Sequence, residues 1–287
     1  MRVPRVLQAD SCVCPRNSVV AHLDRGGPVQ IDTCSFPVLP LSLRKVVSDW
    51  PQKSFGTKNP SWLCDSNILK PPHLEKQQGA SDFSQFLKEF QSAAEVVVKN
   101  ITGFNQSDYQ GDRVSWRPYE LSTVSRRWNA RDDLFHIDSF SSRPTQGRRI
   151  LRMFFNASDR DEIIWSNSIG LLEYLRTNPC LEIIKNKVTA RSESFDQWLG
   201  QIHDLLKKDE AFQETAPRSI HRFKPGSAWL VLTDASLHSY LRGDWLMDIS
   251  WFVSNPELVQ SQRSPVSLFK EINPGSLINL EGHLAAA

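Results

Sequence analysis

Between residues 82 and 99 the apolar positions fall at helical spacing. Phe83, Phe86, Leu87, Phe90, Ala94, Val97 and Val98 form one stripe, which predicts an amphipathic helix with Ser81 as its N-cap. Before it, residues 1–80 are broken by prolines, as in Phe36-Pro37-Val38-Leu39-Pro40-Leu41. That region predicts loops with a few short strands packed on the rest. Residues 113–155 carry strand signals and end in the run Ile150-Leu151-Arg152-Met153-Phe154-Phe155, whose one charge is Arg152. Helical spacing returns over residues 166–213. One segment holds Leu171, Leu172, Tyr174 and Leu175; the next holds Phe195, Trp198, Leu199, Ile202, Leu205 and Leu206. Strands resume over residues 219–255, punctuated by turn signals at Lys224-Pro225-Gly226-Ser227 and Arg242-Gly243-Asp244.

This order predicts a mainly β protein with flanking helices and a jelly-roll, or double-stranded β-helix, core of the cupin kind. A single domain over 1–287 divides into an irregular region (1–80), core segments (81–160 and 215–255), a helical insertion (161–214) and a disordered tail (280–287). No internal repeat or low-complexity segment interrupts it.

Composition narrows the class. The chain is 40% hydrophobic and 23% charged with a net charge of +2, so bulk electrostatics gives no sign of a nucleic-acid partner. Cys12, Cys14, Cys34, Cys64 and Cys180 are odd in number and loosely spaced. They read as free thiols in a reducing compartment rather than a disulfide framework. No apolar run approaches the roughly 18 residues that span a bilayer, and the start lacks the apolar core of a secretory signal. A cytoplasmic protein is expected, with contact at a membrane surface left open.

The chemistry concentrates at His136-Ile137-Asp138. On an extended strand residues i and i+2 share a face, so both groups can grip one metal ion. His238, just after another apolar strand, supplies a third ligand. His221 and His203 compete for that role, but His221 belongs at the far end of the strand and His203 on a helix surface. The bland reading of His-x-Asp is a strand-edge histidine bonded to a neighbouring carboxylate. Two histidines and one carboxylate are the ligand set of non-haem Fe(II) oxygenases. Those that use a 2-oxo acid co-substrate need a fixed cation for its far carboxylate, a task suited to the arginine fork. Arg152 fits best, because a charge inside an apolar strand must be paired. Arg117 and Arg242 follow. Between Asp112 and Arg152 lie nine arginines and no lysine, a bias toward recognition of carboxylates or phosphates.

The run Asp132-Asp133-Leu134-Phe135-His136-Ile137-Asp138-Ser139-Phe140, continued by Ser142-Arg143-Pro144-Thr145-Gln146-Gly147-Arg148-Arg149-Ile150-Leu151-Arg152, resembles the bacterial Kdo hydroxylases. So do Trp116-Arg117-Pro118-Tyr119-Glu120 upstream and Thr233-Asp234, Ser236-Leu237-His238 and Gly243 downstream. Kdo is 3-deoxy-D-manno-oct-2-ulosonic acid, the sugar joining lipid A to the lipopolysaccharide core. The likeness is strongest over residues 113–160, moderate over 219–253 and weak elsewhere. It departs after His238, where Gly243-Asp244-Trp245-Leu246-Met247-Asp248-Ile249-Ser250 stands in place of a Gly-Gln-x-x-Leu-Glu-Gln-Thr run.

The resemblance implies an Fe(II)/2-oxoglutarate-dependent dioxygenase that uses O2 to hydroxylate C3 of Kdo in Kdo2-lipid A. His136, Asp138 and His238 would hold the iron, and Arg152 and Arg117 would meet 2-oxoglutarate. Arg143, Arg148, Arg149, Arg126 and Arg127 would meet the carboxylate and phosphates of the substrate. A lipid-anchored substrate implies peripheral contact with the cytoplasmic leaflet of the inner membrane. Two other functions fit the residues: a non-catalytic jelly-roll module that binds sugar or lipopolysaccharide, and an oxygenase acting on another acidic sugar.

Overall fold

Side-chain alternation along one central strand organises the molecule. In the segment Arg149–Asn156, Leu151, Met153 and Phe155 point into a large apolar cluster, while Ile150, Arg152 and Phe154 point the other way. The cluster is closed by the helix Ala80–Thr102, which buries Phe83, Phe86, Leu87, Phe90, Ala94 and Val98 against it. The helix begins two residues earlier than the periodicity places it. Gly79, in the left-handed region at φ 76°, is its N-cap, so Ser81 lies inside the first turn. Gly103, at φ 75°, closes the other end by donating its N–H to Lys99 O.

The computed structural model describes residues 3–8, 15–31, 36–48, 50, 59–118, 127–140, 142–178 and 194–272. Its strands are β1 (Leu7–Gln8), β2 (Val29–Ile31), β3 (Ser61–Leu63), β4 (Ile68–Lys70), β5 (Tyr109–Arg117), β6 (Arg149–Asn156), β7 (Ile163–Gly170), β8 (Ser219–Phe223), β9 (Ala228–Leu232), β10 (Ser236–Arg242) and β11 (Leu246–Val253). The larger sheet runs β1-β2-β9-β6-β11-β5-β3-β4 and the smaller β10-β7-β8. All pairings are antiparallel except β1 with β2. The sheets face one another. Phe154, Trp229, Val231 and Leu246 from the larger pack with Ile163, Trp165, Phe223 and Tyr240 from the smaller. Two antiparallel sheets closed over a shared interior are the jelly roll that the strand pattern predicts.

Two further expectations are corrected. Residues 1–80, expected as loops with a few short strands, also carry the helices Arg16–Asp24 and Leu41–Ser48. Helix was expected from residue 166, within an insertion starting at 161, but Ile163–Gly170 is the central strand of the smaller sheet. Its run Ile163-Ile164-Trp165 has β-branched and aromatic character, and both its neighbours are distant in sequence, so local periodicity undervalued it. Helix starts only at Leu171. The second helical segment is present as Phe195–Lys208, opened by a capping box between Ser194 and Gln197. The tail and Cys12, Cys14, Cys34 and Cys180 lie outside the described residues; Cys64 is a free thiol.

Candidate metal centre

The segment before β6 is extended but is not a regular strand; its one ladder contact is a bridge between His136 and His238. His136 N–H donates to His238 O at 3.0 Å and His238 N–H to His136 O at 2.9 Å. Two residues further on, Asp138 N–H donates to Thr233 O at 2.8 Å. The two histidines are direct cross-strand partners. Alternation then aims the side chains. Ile137 and Leu237 point outward into the apolar cluster formed with Trp198, Leu199 and Ile202 of the helix Phe195–Lys208. Their neighbours His136, Asp138 and His238 point inward, each buried, with ligating atoms all within 4.8 Å of one another.

The donor set fits a divalent metal. His136 Nδ1 lies 2.8 Å from Leu134 O and His238 Nδ1 lies 2.9 Å from Ser236 O. A carbonyl only accepts, so each Nδ1 carries the proton and each Nε2 keeps its lone pair. Burial is the main force lowering both histidine pKa values, and His238 further lowers that of His136. Both imidazoles are therefore neutral, the form that ligates. Burial alone would raise the Asp138 pKa. The Arg152 guanidinium, with both histidines, overcomes this and holds the carboxyl well below the usual range. Trp165 stacks on His238 with ring centres 5.7 Å apart, fixing the ring plane.

Beyond the triad lies a charged row. Arg152 Nη1 donates to Asp138 Oδ2 at 2.8 Å, and Nη2 donates to Asp248 Oδ1. Arg117 donates to Asp132 Oδ2 at 2.5 Å, and its Nε lies 3.5 Å from Asp248 Oδ2. Asp248 thus sits between two arginines. It escaped the sequence reading, although its signal was there: Asp248 and Ser250 are polar positions at period two in an otherwise apolar strand. Two more groups lie by the triad, of which Lys207 also escaped. His203, expected at a helix surface, is half-buried, with Nδ1 2.6 Å from Ile137 O and its ring 5.6 Å from that of His136. Lys207 is buried and donates to Asn129 O at 2.9 Å. A cleft of about 660 Å³ opens beside His203, lined also by Asn129, Ser139, Pro144 and Gly200.

Other candidates fall elsewhere. Arg242 is exposed at the end of β10, past a bulge, in a separate polar cleft with Arg222 and Asp161, so it does not join the centre. Arg149 is fully buried on the opposite face of β6. It donates to both oxygens of Asp234, at 2.7 and 3.2 Å, and to Leu258 O at 3.0 Å. With no exposed surface it cannot touch a substrate, and the alternation that turns Arg152 inward turns Arg149 away. Arg143 pairs with Asp112. Arg148, close by, donates to Gln110 Oε1 at 2.8 Å. Arg127 is exposed, and Arg126 lies outside the described residues. His221 is bonded to Asn167 Oδ1 at 2.7 Å, away from the triad.

Among the solved structures that share this fold are three of one Kdo hydroxylase. The apo structure of the Kdo hydroxylase KdoO, a non-heme Fe(II) alphaketoglutarate dependent dioxygenase, superposes with TM-score 0.76 at 22% identity, covering 96% of this chain and 97% of that one. Its complex with succinate and Fe(III) gives 0.77 at 23%, covering 96% and 98%. Its complex with alphaketoglutarate and Fe(III) gives 0.76 at 22%, covering 95% and 97%. Comparison with curated protein sequences gives no match. The family model for 3-deoxy-D-manno-oct-2-ulosonic acid (Kdo) hydroxylase matches residues 10–168 and 173–274. Nearly the whole chain is thus accounted for, and the protein belongs to the Kdo hydroxylase family.

Proposed function

We propose that this chain is an Fe(II)/2-oxoglutarate-dependent dioxygenase that hydroxylates C3 of Kdo in Kdo2-lipid A. One oxygen atom of O2 enters the C–H bond; the other ends in succinate as 2-oxoglutarate loses CO2. The observation that carries the reading is the convergence of His136, Asp138 and His238, buried and correctly protonated, in a chain of this family. Iron, when bound, supplies the oxidising chemistry.

The protein supplies position and shielding. His136 and His238 offer Nε2 on rings fixed by backbone carbonyls. Arg152 holds one oxygen of Asp138 and leaves the other for the metal. Arg152 and Arg117, bridged by Asp248, are the cations for the distal carboxylate of 2-oxoglutarate. Phe154, under the Arg152 guanidinium at 4.8 Å, keeps that half of the interior dry and strengthens its charge interactions. Arg143 and Arg148 receive anionic groups of the substrate.

We place the protein against the cytoplasmic leaflet. Support comes from exposed Trp128, beside Arg127 and under Lys208 Nζ at 4.5 Å. No helix among the described residues is long and apolar enough to cross a membrane.

The test is mass spectrometry of Kdo2-lipid A after incubation with the protein, ferrous salt, ascorbate and 2-oxoglutarate. A gain of one oxygen on a Kdo unit, with succinate formed in step, is expected. Succinate with another acidic sugar but none with Kdo2-lipid A would reassign the substrate. No succinate under any condition would leave a binding module.

A further inference from the structure

Three inward-facing residues form one row across the larger sheet. In β11, Ser250 pairs with Arg152 of β6 on one side and with Arg113 of β5 on the other. Strand spacing puts the two arginine backbones about 10 Å apart. Their chemistry differs. Arg152 is neutralised by Asp138 and Asp248. Arg117, further along β5, has Asp132 and Asp248, and Arg143 has Asp112. Among the described residues the Arg113 side chain makes no ion pair or hydrogen bond, and its Nε is buried without a partner. Burial above all, then the Arg143 charge, lowers its pKa. The nearest carboxylate, Asp112, is already held by Arg143 and by Ser250 Oγ at 2.7 Å. A half-buried guanidinium with an orphaned donor, among other arginines, is unfavourable unless an anion completes it.

We propose that Arg113 is a specificity-determining residue that receives the carboxylate of the sugar-acid acceptor, with Arg143 closing the far side of the same subsite. The proposal rests on the function proposed above. Arg152 stands between Arg113 and Asp138 in the row, so a co-substrate chelated at the triad reaches Arg152 first, and Arg113 is left for the acceptor. The planar fork of Arg113 suits bidentate capture of a carboxylate. A phosphate of the lipid offers similar chemistry, and the test separates the two sources.

The experiment compares wild type, Arg113→Gln and Arg113→Lys with three acceptors: the natural Kdo glycolipid, the same glycolipid without its lipid phosphates, and its Kdo C1-carboxamide. Losing a charge-assisted bidentate contact should raise the acceptor KM about 10- to 100-fold in Arg113→Gln. The KM for 2-oxoglutarate should stay within about twofold, and Arg113→Lys should recover part of the loss. Wild type should discriminate against the carboxamide by a similar factor, and Arg113→Gln should not. Three results would overturn the proposal: unchanged carboxylate discrimination in Arg113→Gln, a rise confined to the 2-oxoglutarate KM, or a loss in Arg113→Gln that disappears with the dephosphorylated acceptor. Wild type that neither turns over nor binds any Kdo acceptor, by calorimetry, would sink the functional reading itself and this proposal with it.

Discussion

His136 and His238 exchange both backbone hydrogen bonds, so two metal-ligand candidates far apart in sequence are direct cross-strand partners. Paired residues on adjacent strands project to the same side, which brings their rings to a centroid distance of 4.5 Å. The backbone, not a flexible loop, therefore sets the spacing of the imidazoles. The candidate centre is therefore preorganised by the ladder.

His136→Ala is expected to abolish turnover while leaving the fold intact, because the ladder bonds at this position come from the backbone. Loss of a ligand should weaken metal binding by more than the roughly 10- to 100-fold caused by losing an outer partner. Metal content after dialysis, succinate formation and circular dichroism measure the three effects. Retained turnover would mean the ligands are misassigned.

Arg152→Ala strands Asp138 and Asp248 as buried carboxylates without their shared cation. Breaking a buried pair costs about 3–5 kcal/mol, so a clear fall in denaturant midpoint is expected. The KM for 2-oxoglutarate should rise steeply in the same variant. A large stability loss with an unaltered 2-oxoglutarate KM would move the co-substrate role to Arg117 and leave Arg152 as the residue orienting Asp138.

Arg149→Met separates structure from function. The arginine side chain is fully buried against Asp234, also buried, where burial outweighs Arg149 and raises the Asp234 pKa. Truncation should cost about 3–5 kcal/mol, while the acceptor KM of the folded variant stays at the wild-type value. A selective rise in that KM, with unchanged stability, would return Arg149 to the substrate contacts.

Stability should fall as the solution is acidified from pH 7 toward 4. Burial pushes the His221 pKa down to about 4, against about 6.5 for an exposed histidine. Between these values the unfolded chain binds the proton and the folded chain does not, so stability is complete above the unfolded value and is lost as pH drops. His136 and His238 act in the same sense. Thermal melts of metal-free protein across this window should show the decline, and His221→Asn should make it shallower. A wild-type slope retained in full by that variant would exclude the contribution of His221.

How much of this was legible beforehand differs from element to element. The helix Ala80–Thr102 and the helix Phe195–Lys208 announce themselves because one-sided burial leaves a 3.6-residue stripe in the sequence. The triad residues were legible because few side-chain sets do metal chemistry. Arg152 was legible because an isolated charge in an apolar strand demands a partner. Strand β7 was not, since what makes Ile163–Gly170 a strand is pairing with β8 and β10 on both sides.

By itself the sequence determined the period of the helices Ala80–Thr102 and Phe195–Lys208, the inward or outward parity within the strands it marked, and the identity of the groups able to bind a metal. All of these follow from local geometry and side-chain chemistry. Only the tertiary structure decided that His136 lies against His238 and not His221, that Asp248 bridges Arg152 and Arg117, and that Arg149 is sealed away while the Arg113 side chain forms no ion pair among the described residues. Those facts depend on register between strands distant along the chain, and register is set by the packing of the whole core rather than by any neighbouring residue.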